Sequence, residues 1–211
     1  MKKVLAAVIT MVFITAATQA QFKIGIKAGA GLSNQHSNVA SGTKLAGSEA
    51  FRGYHAGLVA DAPLSDHLSL QPQLLYSRKG AKYTNAGSAY ETTFSTRNIE
   101  LSTNLVYKVN TSFGKIFAGA GPTIGYSLSG ELEQNGHSDK LYTGDLKDWK
   151  HIDIGAGATA GVEFNNGLFA GINYQMGLLD INKSAGADTK NRSISMSVGY
   201  MIDWNKLKRR G

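Results

Sequence analysis

Strict two-residue alternation of apolar and polar side chains runs through most of this chain, and it limits the available folds more than any other feature. That period puts successive side chains on opposite faces of an extended backbone. The last segment is the cleanest. Ile194, Met196, Val198, Tyr200, Ile202 and Trp204 share one face, opposite Ser193, Ser195, Ser197, Gly199, Met201 and Asp203. In another segment Ile99, Leu101, Leu105, Tyr107 and Val109 oppose Asn98, Glu100, Ser102, Asn104 and Lys108. The pattern recurs over 22–32, 53–60, 68–77, 98–109, 115–128, 152–164, 168–178 and 193–204. Most segments are roughly 9–14 residues, longer than an ordinary ~5–6-residue strand and long enough for the ~9–11 residues of a membrane-spanning one. No convincing helical period interrupts the series. A closed antiparallel barrel satisfies every backbone group and leaves no edge.

The first 20 residues do not belong to this pattern. Lys2 and Lys3 precede an apolar run from Val4 to Ala17, followed by Thr18-Gln19-Ala20. This is the layout of a secretory signal peptide, with the cut expected after Ala20 and Gln21 as the mature N-terminus. A run of ~14 apolar residues falls short of the ~20 needed for a spanning helix. The formal charge of +7 raises nucleic-acid binding as a class. Two of the positive charges lie in the signal, and export removes the chain from nucleic acid. With no cysteine in the chain, a disulfide framework and a zinc-finger site are excluded.

An alternating barrel can close in two ways. A soluble, lipocalin-like barrel points its apolar face inward around a ligand. A membrane barrel points it outward to lipid and lines its lumen with the polar face. The chain has 25 glycines, and they fall overwhelmingly on the polar face. On a soluble barrel they would weaken exposed strands for no gain. In a narrow lumen they make room for Lys, Gln, Asn and Glu from other strands. Tyr54, Tyr76, Tyr107, Tyr126, Tyr174, Tyr200 and Trp204 join the apolar faces, several near strand ends, as in the aromatic girdles of membrane barrels. The expected fold is therefore all-β: an eight-stranded antiparallel transmembrane barrel with meander topology over 21–204.

Connections alternate in length. Residues 33–50, 81–93, 131–149 and 182–190 form long loops, whereas Asp61–Asp66, Asn110–Ser112 and Asn165-Asn166-Gly167 are short. Outer-membrane barrels keep short turns in the periplasm and long loops outside. Both termini are then periplasmic, including a basic tail over 205–211 with Lys206, Lys208, Arg209 and Arg210.

Several stretches carry a family likeness. They are Phe22-Lys23-Ile24-Gly25-Ile26-Lys27-Ala28-Gly29, the run from Leu64 through Gln71-Pro72-Gln73-Leu74-Leu75-Tyr76-Ser77 to Lys79-Gly80, Ala118-Gly119-Ala120-Gly121-Pro122, and Tyr174-Gln175-Met176-Gly177-Leu178. Across essentially the whole mature chain the sequence resembles the outer-membrane β-barrel domain family often labelled "porin family" or PorT-like. It departs from that family at Gln73, where an acid is usual. The resemblance implies a barrel in the outer membrane of a Gram-negative-type envelope, and no single substrate. Ser197, Gly199, Ile202 and Trp204 also resemble the signal read by the barrel-assembly machinery, which would be a partner during biogenesis.

The chemistry-bearing residues favour a packed interior. An eight-stranded barrel is just wide enough for side chains to fill, and an unpaired buried charge is costly. A lumen network is expected from Lys27, Gln71, Gln73, Glu100, Asn104, Lys115, Asp153, Glu163, Asn173 and Gln175. The five histidines, at 36, 55, 67, 137 and 151, form no ligand pair, so neither a metal nor a cofactor is expected. His55 in the lumen could meet a serine from another strand, as a hydrolase needs, but an enzyme is not the expectation. The acidic stretch with Glu131, Glu133, Asp139, Asp145 and Asp148 matches no calcium loop. The expected role is structural, or interaction with an extracellular partner through the long loops, with outer-membrane lipid around the wall. A narrow solute channel and a lipid-modifying enzyme are the alternatives.

Overall fold

The structure is a computed structural model that describes residues 22–39, 48–84, 91–134, 137–142, 151–178 and 187–204. Its strands are β1 (Lys23–Val39), β2 (Ser48–Pro63), β3 (Leu68–Thr84), β4 (Glu91–Thr111), β5 (Gly114–Gln134), β6 (His137–Tyr142), β7 (Ile152–Phe164), β8 (Leu168–Gly177) and β9 (Ala187–Asp203). Every pairing is antiparallel. The order β4-β3-β2-β1-β9-β8-β7-β5, closed by β4 on β5, is a meander wound into an eight-stranded barrel. The β1–β9 ladder runs without a break from Lys23↔Asp203 to Val39↔Ala187, so the first and last strands seal the cylinder.

The barrel is inside out relative to a soluble protein. Ile26 is 65% exposed, Leu58 59% and Met196 72%, while Lys27 is 7% and Glu163 4% exposed. A soluble monomer rarely exposes a contiguous apolar patch beyond ~300–600 Å², and this one encircles the molecule. On β4 the outward apolar residues run from Val109 to Ile99. At ~3.4 Å per residue and a tilt of ~40°, that wall is about 26 Å tall, which matches the ~25 Å apolar band of membrane barrels.

One end carries short turns. Between β2 and β3 the Leu64 and Ser65 amides donate to the Leu68 carbonyl, at 2.8 and 3.0 Å. Between β7 and β8, Gly167 adopts φ +91°, a conformation costly for any residue with a Cβ. There Asn166 Oδ1 accepts from the Leu168 amide at 3.0 Å. The long connections expected at the other end are shorter than the alternation suggests. β1 continues to Val39, β2 begins at Ser48, β3 reaches Thr84, β4 begins at Glu91 and β9 begins at Ala187. These extensions lie beyond the apolar wall, where the strict period is lost: Phe51, Ala81 and Phe94 are buried there among polar residues, and the ladders shift register between Ala50 and Tyr54 and between Arg97 and Asn98. Residues 131–149, expected to be loop, contain the end of β5 and all of β6. The barrel still has eight strands, because β6 pairs with β5 at 129–134 and β7 pairs with it at 114–126, in succession along one edge. The leader over 1–20, the basic tail over 205–211, and Asp145 and Asp148 lie outside the described residues.

Candidate functional site

The lumen is filled in layers, beginning at the short-turn end. Lys108 Nζ donates to Asp61 Oδ2 and, at 3.3 Å, to Glu163 Oε2. Lys23 donates to the other Glu163 oxygen at 2.5 Å, and Gln71 Nε2 to Asp61 Oδ2 at 3.3 Å. The side chains of Lys108, Asp61 and Glu163 are only 6%, 2% and 5% exposed. Two carboxylates held by two ammonium groups and an amide satisfy the pairing that buried charge requires. Near this layer Val59, Phe169 and Met201 form a small apolar cluster.

The middle layer is mostly neutral. Lys27 Nζ donates to Gln73 Oε1 at 2.9 Å and Asn173 Oδ1 at 2.8 Å. Asn173 Nδ2 donates to Ser197 Oγ at 2.8 Å, and Gln73 Nε2 to Gln71 Oε1 at 3.3 Å. His55 Nε2 lies 2.8 Å from Ser197 Oγ. Above it, Glu100 accepts from Ser77, from Lys79 at 2.9 Å and from Gln175 Nε2 at 3.3 Å. Lys79 also donates to Gln175 Oε1 at 2.5 Å. Two small chambers, of about 50 and 80 Å³, lie on either side of the Lys79–Glu100–Gln175 group, which lines both. Spaces of that size hold a few waters.

Of the residues expected in the network, Lys27, Gln71, Gln73, Glu100, Glu163, Asn173 and Gln175 are bonded within these layers. Asp153 stands apart, near the long-connection end, and accepts only from Asn191 Nδ2, at 2.9 Å. Asn104 is 6% exposed, yet its Oδ1 has no hydrogen-bond partner. Lys115 stands opposite Glu163 in the β5–β7 register, but that carboxylate is held by Lys23 and Lys108. Lys115 makes no ion pair among the described residues.

Four central residues are absent from the expected network: Lys23 and Lys108, which the alternation places on polar faces, and Asp61 and Lys79. Asp61 reads as the start of a turn, but β2 runs on to Pro63 and turns Asp61 inward, 1% exposed. Lys79 lies past the clear alternation, although counting by twos from Gln71, Gln73 and Ser77 reaches it. The lumen glycines meet the expectation in part. They make room for polar side chains, with Glu100 and Asp153 beside Gly125 and Gln175 beside Gly157, and also for apolar and aromatic ones. Phe117 lies over Gly161 and Gly171, Phe169 over Gly199, Val106 against Gly119 and the His55 ring against Gly29.

The residues resembling an assembly signal divide between the faces. Ser197 is buried in the lumen and Gly199 sits under Phe169, while Ile202 and Trp204 are 38% and 43% exposed on the outer wall. The Trp204 amide donates to the Phe22 carbonyl at 2.9 Å, extending the β1–β9 ladder by one bond.

Ser197 and His55 have the distance of a nucleophile–base pair, but they face the packed lumen. A lipid-side reaction needs such a pair on the outer wall. No group of three or more metal-binding side chains occurs among the described residues.

Among curated proteins none matches the chain. Similar solved structures include Ail, the attachment invasion locus protein of Yersinia pestis (15% identity, 86% of this chain and 99% of that one, TM-score 0.46). The outer membrane protein OprG of Pseudomonas aeruginosa is 12% identical over 88% of this chain and 98% of its own, with a TM-score of 0.47. The outer membrane enzyme PagL is 13% identical over 83% and 98%, with a TM-score of 0.46. The family model described as outer membrane protein beta-barrel domain matches residues 17–183. The chain belongs to the outer membrane protein beta-barrel domain family.

Proposed function

We propose that this outer-membrane barrel has a structural or surface-interaction role and that its lumen is sealed rather than a solute path. The observation that carries this is the ion cluster of Lys23, Asp61, Lys108 and Glu163, which ties β1, β2, β4 and β7 together across the interior. The apolar Val59, Phe169 and Met201 nearby support it. An aqueous channel is a property of ~16-stranded barrels, not of eight-stranded ones. The short turns lie at the same end of the barrel as Phe22 and Trp204, the first and last described residues, and we assign that end to the periplasm. The other end, with its long connections, then meets the exterior and offers the surface for a partner. We further assign Ser197, Gly199, Ile202 and Trp204 to the assembly signal.

Single-channel recording in planar bilayers tests the sealed lumen. The expected record is flat at the level of a protein-free membrane. Reproducible steps well above leak would favour a narrow channel.

A further inference from the structure

The outer wall carries its charge at one level only. Among the described residues the outward side chains of β1–β5 and β7–β9 are apolar or aromatic along the wall, apart from Thr103. The pattern changes at the long-connection end, and on four strands it changes to the same residue. Arg52 stands two residues beyond Tyr54, Arg78 beyond Tyr76, Arg97 beyond Ile99 and Arg192 beyond Ile194. Those four wall residues are 40–55% exposed. β2 is irregular against β3 between Ala50 and Tyr54, and β4 against β5 at Arg97/Asn98, but the unbroken registers of β2 with β1 and of β4 with β3 keep each arginine on the face of those wall residues. Arg52 pairs in register with the outward Leu32, Arg78 with Arg97, and Arg192 with Asn34. All the arginines of the described residues are here; the other two in the chain are Arg209 and Arg210. Lys23, Lys27, Lys79 and Lys108 go into the lumen instead.

The strands concerned, β4-β3-β2-β1-β9, are neighbours in the sheet. Four inter-strand spacings of ~4.8 Å spread the row over about 19 Å of circumference. Arg78 and Arg97 are direct cross-strand partners, a like-charge pairing that costs stability unless an anion lies between them. Glu131 lies there. Its Oε2 is 3.3 Å from Arg78 Nη2 and 3.5 Å from Arg97 Nη2. One carboxylate against two guanidinium groups still leaves net positive charge. Arg97 keeps 40% exposure; Arg78, at 31%, also donates from Nη2 to Ser95 Oγ at 3.1 Å and lies 5.5 Å over the Phe51 ring, so it is the most engaged of the four. Arg52 and Arg192, both exposed, make no ion pair among the described residues.

We propose that Arg52, Arg78, Arg97 and Arg192 bind the phosphate groups of a phosphorylated lipid whose acyl chains lie on the apolar wall beneath them. This rests on the membrane-spanning reading of the barrel. The ligand must match two surfaces joined at one level: an apolar wall about 26 Å tall, and a row of planar five-donor cations suited to bidentate phosphate contacts. A free anion would use only the second. An amphiphile with an anionic headgroup uses both. At the interface such contacts are less screened by water than on an open surface, which strengthens each of them.

The test uses the purified full chain in detergent and native mass spectrometry to follow retained lipid. The probes are a diphosphorylated glucosamine lipid, the same lipid without phosphates, and inorganic pyrophosphate as competitor. The expected result is retention of the phosphorylated lipid about tenfold tighter than its dephosphorylated counterpart, since losing one charge-assisted hydrogen bond already removes that much. R52Q/R192Q should weaken retention by about the same factor. Those residues hold no ion pair, so the variant should keep the heat-modifiable gel shift of a folded barrel. R78K/R97K, which keeps charge but loses the planar fork, should fall in between. Equal retention of the two lipids, or wild-type retention by R52Q/R192Q, would overturn the proposal. Displacement by pyrophosphate as readily as by the lipid would assign the row to soluble anions, and would overturn it too. If the protein shows no heat-modifiable form and does not enter bilayer vesicles, the membrane reading itself fails. If it inserts and shows no phosphate preference, only the arginine row is refuted.

Discussion

Lys108 shows how one residue can hold a lumen together. Its stem crosses a space bounded by β2, β4 and β7, and its ammonium group meets carboxylates from two of them. Removing it strands Asp61, which keeps only the Gln71 amide. Breaking a buried pair from one side costs about 3–5 kcal/mol, because the remaining charge stays buried without its partner. Lys108→Met should therefore lower the stability of the refolded barrel in urea by about that amount. Adding Asp61→Leu should recover much of the loss, since an apolar pair in place of an ion pair is often neutral. A single variant as stable as wild type would mean that the cluster is solvated and does not act as a seal. Gly199 makes a different point at the same scale. Phe169 sits so close that an added Cβ would lie 2.3 Å from its ring. The position is thus fixed by packing inside the lumen, whatever the assembly machinery reads from it.

At the scale of the element, the strands have two zones with different causes. Along the wall, lipid selects the outward residue and the narrow lumen selects the inward one, so alternation is strict and the sequence reveals register and face. Past the wall the hairpins run on without strict alternation: Phe51, Ala81 and Phe94 are buried among polar residues, and register shifts interrupt the ladders. That is why the eight segments and the meander could be read from the chain, while the ends of β1, β3 and β4 and the existence of β6 could not. The site divides in the same way. Glu163 and Lys27 lie well inside alternating runs and were found. Asp61 was hidden because Asp61-Ala62-Pro63 looks like turn chemistry. Lys79 was hidden because Ser77-Arg78-Lys79-Gly80 carries no apolar residue to mark the period. Which cation would meet which carboxylate depends on barrel stagger, a property of the closed sheet that no single strand carries. The two zones also predict different tolerance to deletion. The β5–β7 ladder that closes the wall ends at Tyr126↔Ile152, and β6 contacts only β5 above it. Replacing residues 135–149 with a short glycine-containing turn, which removes β6 and keeps Glu131 and the β4–β5 ladder, should leave the heat-modifiable barrel intact, as surface connections generally tolerate. A chain that no longer gives the folded, faster-migrating band would show that the β5–β6 hairpin takes part in closure.

At the scale of the whole molecule, the described residues fill the lumen in several layers. From the short-turn end upward, a path through the lumen meets the ion cluster around Lys108, the apolar residues Phe169, Met201 and Val59, the Lys27–Gln73–Asn173 bonds and then the Lys79–Glu100–Gln175 group. The layers share strands, but each is closed by its own side-chain contacts. Phe117→Ala with Phe169→Ala tests this directly. The two rings fill the space above Gly161, Gly171 and Gly199, and truncating a buried phenylalanine costs about 3–5 kcal/mol. The double variant should unfold at markedly lower urea, yet planar-bilayer recordings should stay as flat as those of the wild type. The polar layers are held by charge-assisted bonds that do not depend on either ring. Steady conductance from this variant would mean that two aromatic side chains are the entire seal, and that the hydrogen-bonded layers above and below them are permeable to water and ions.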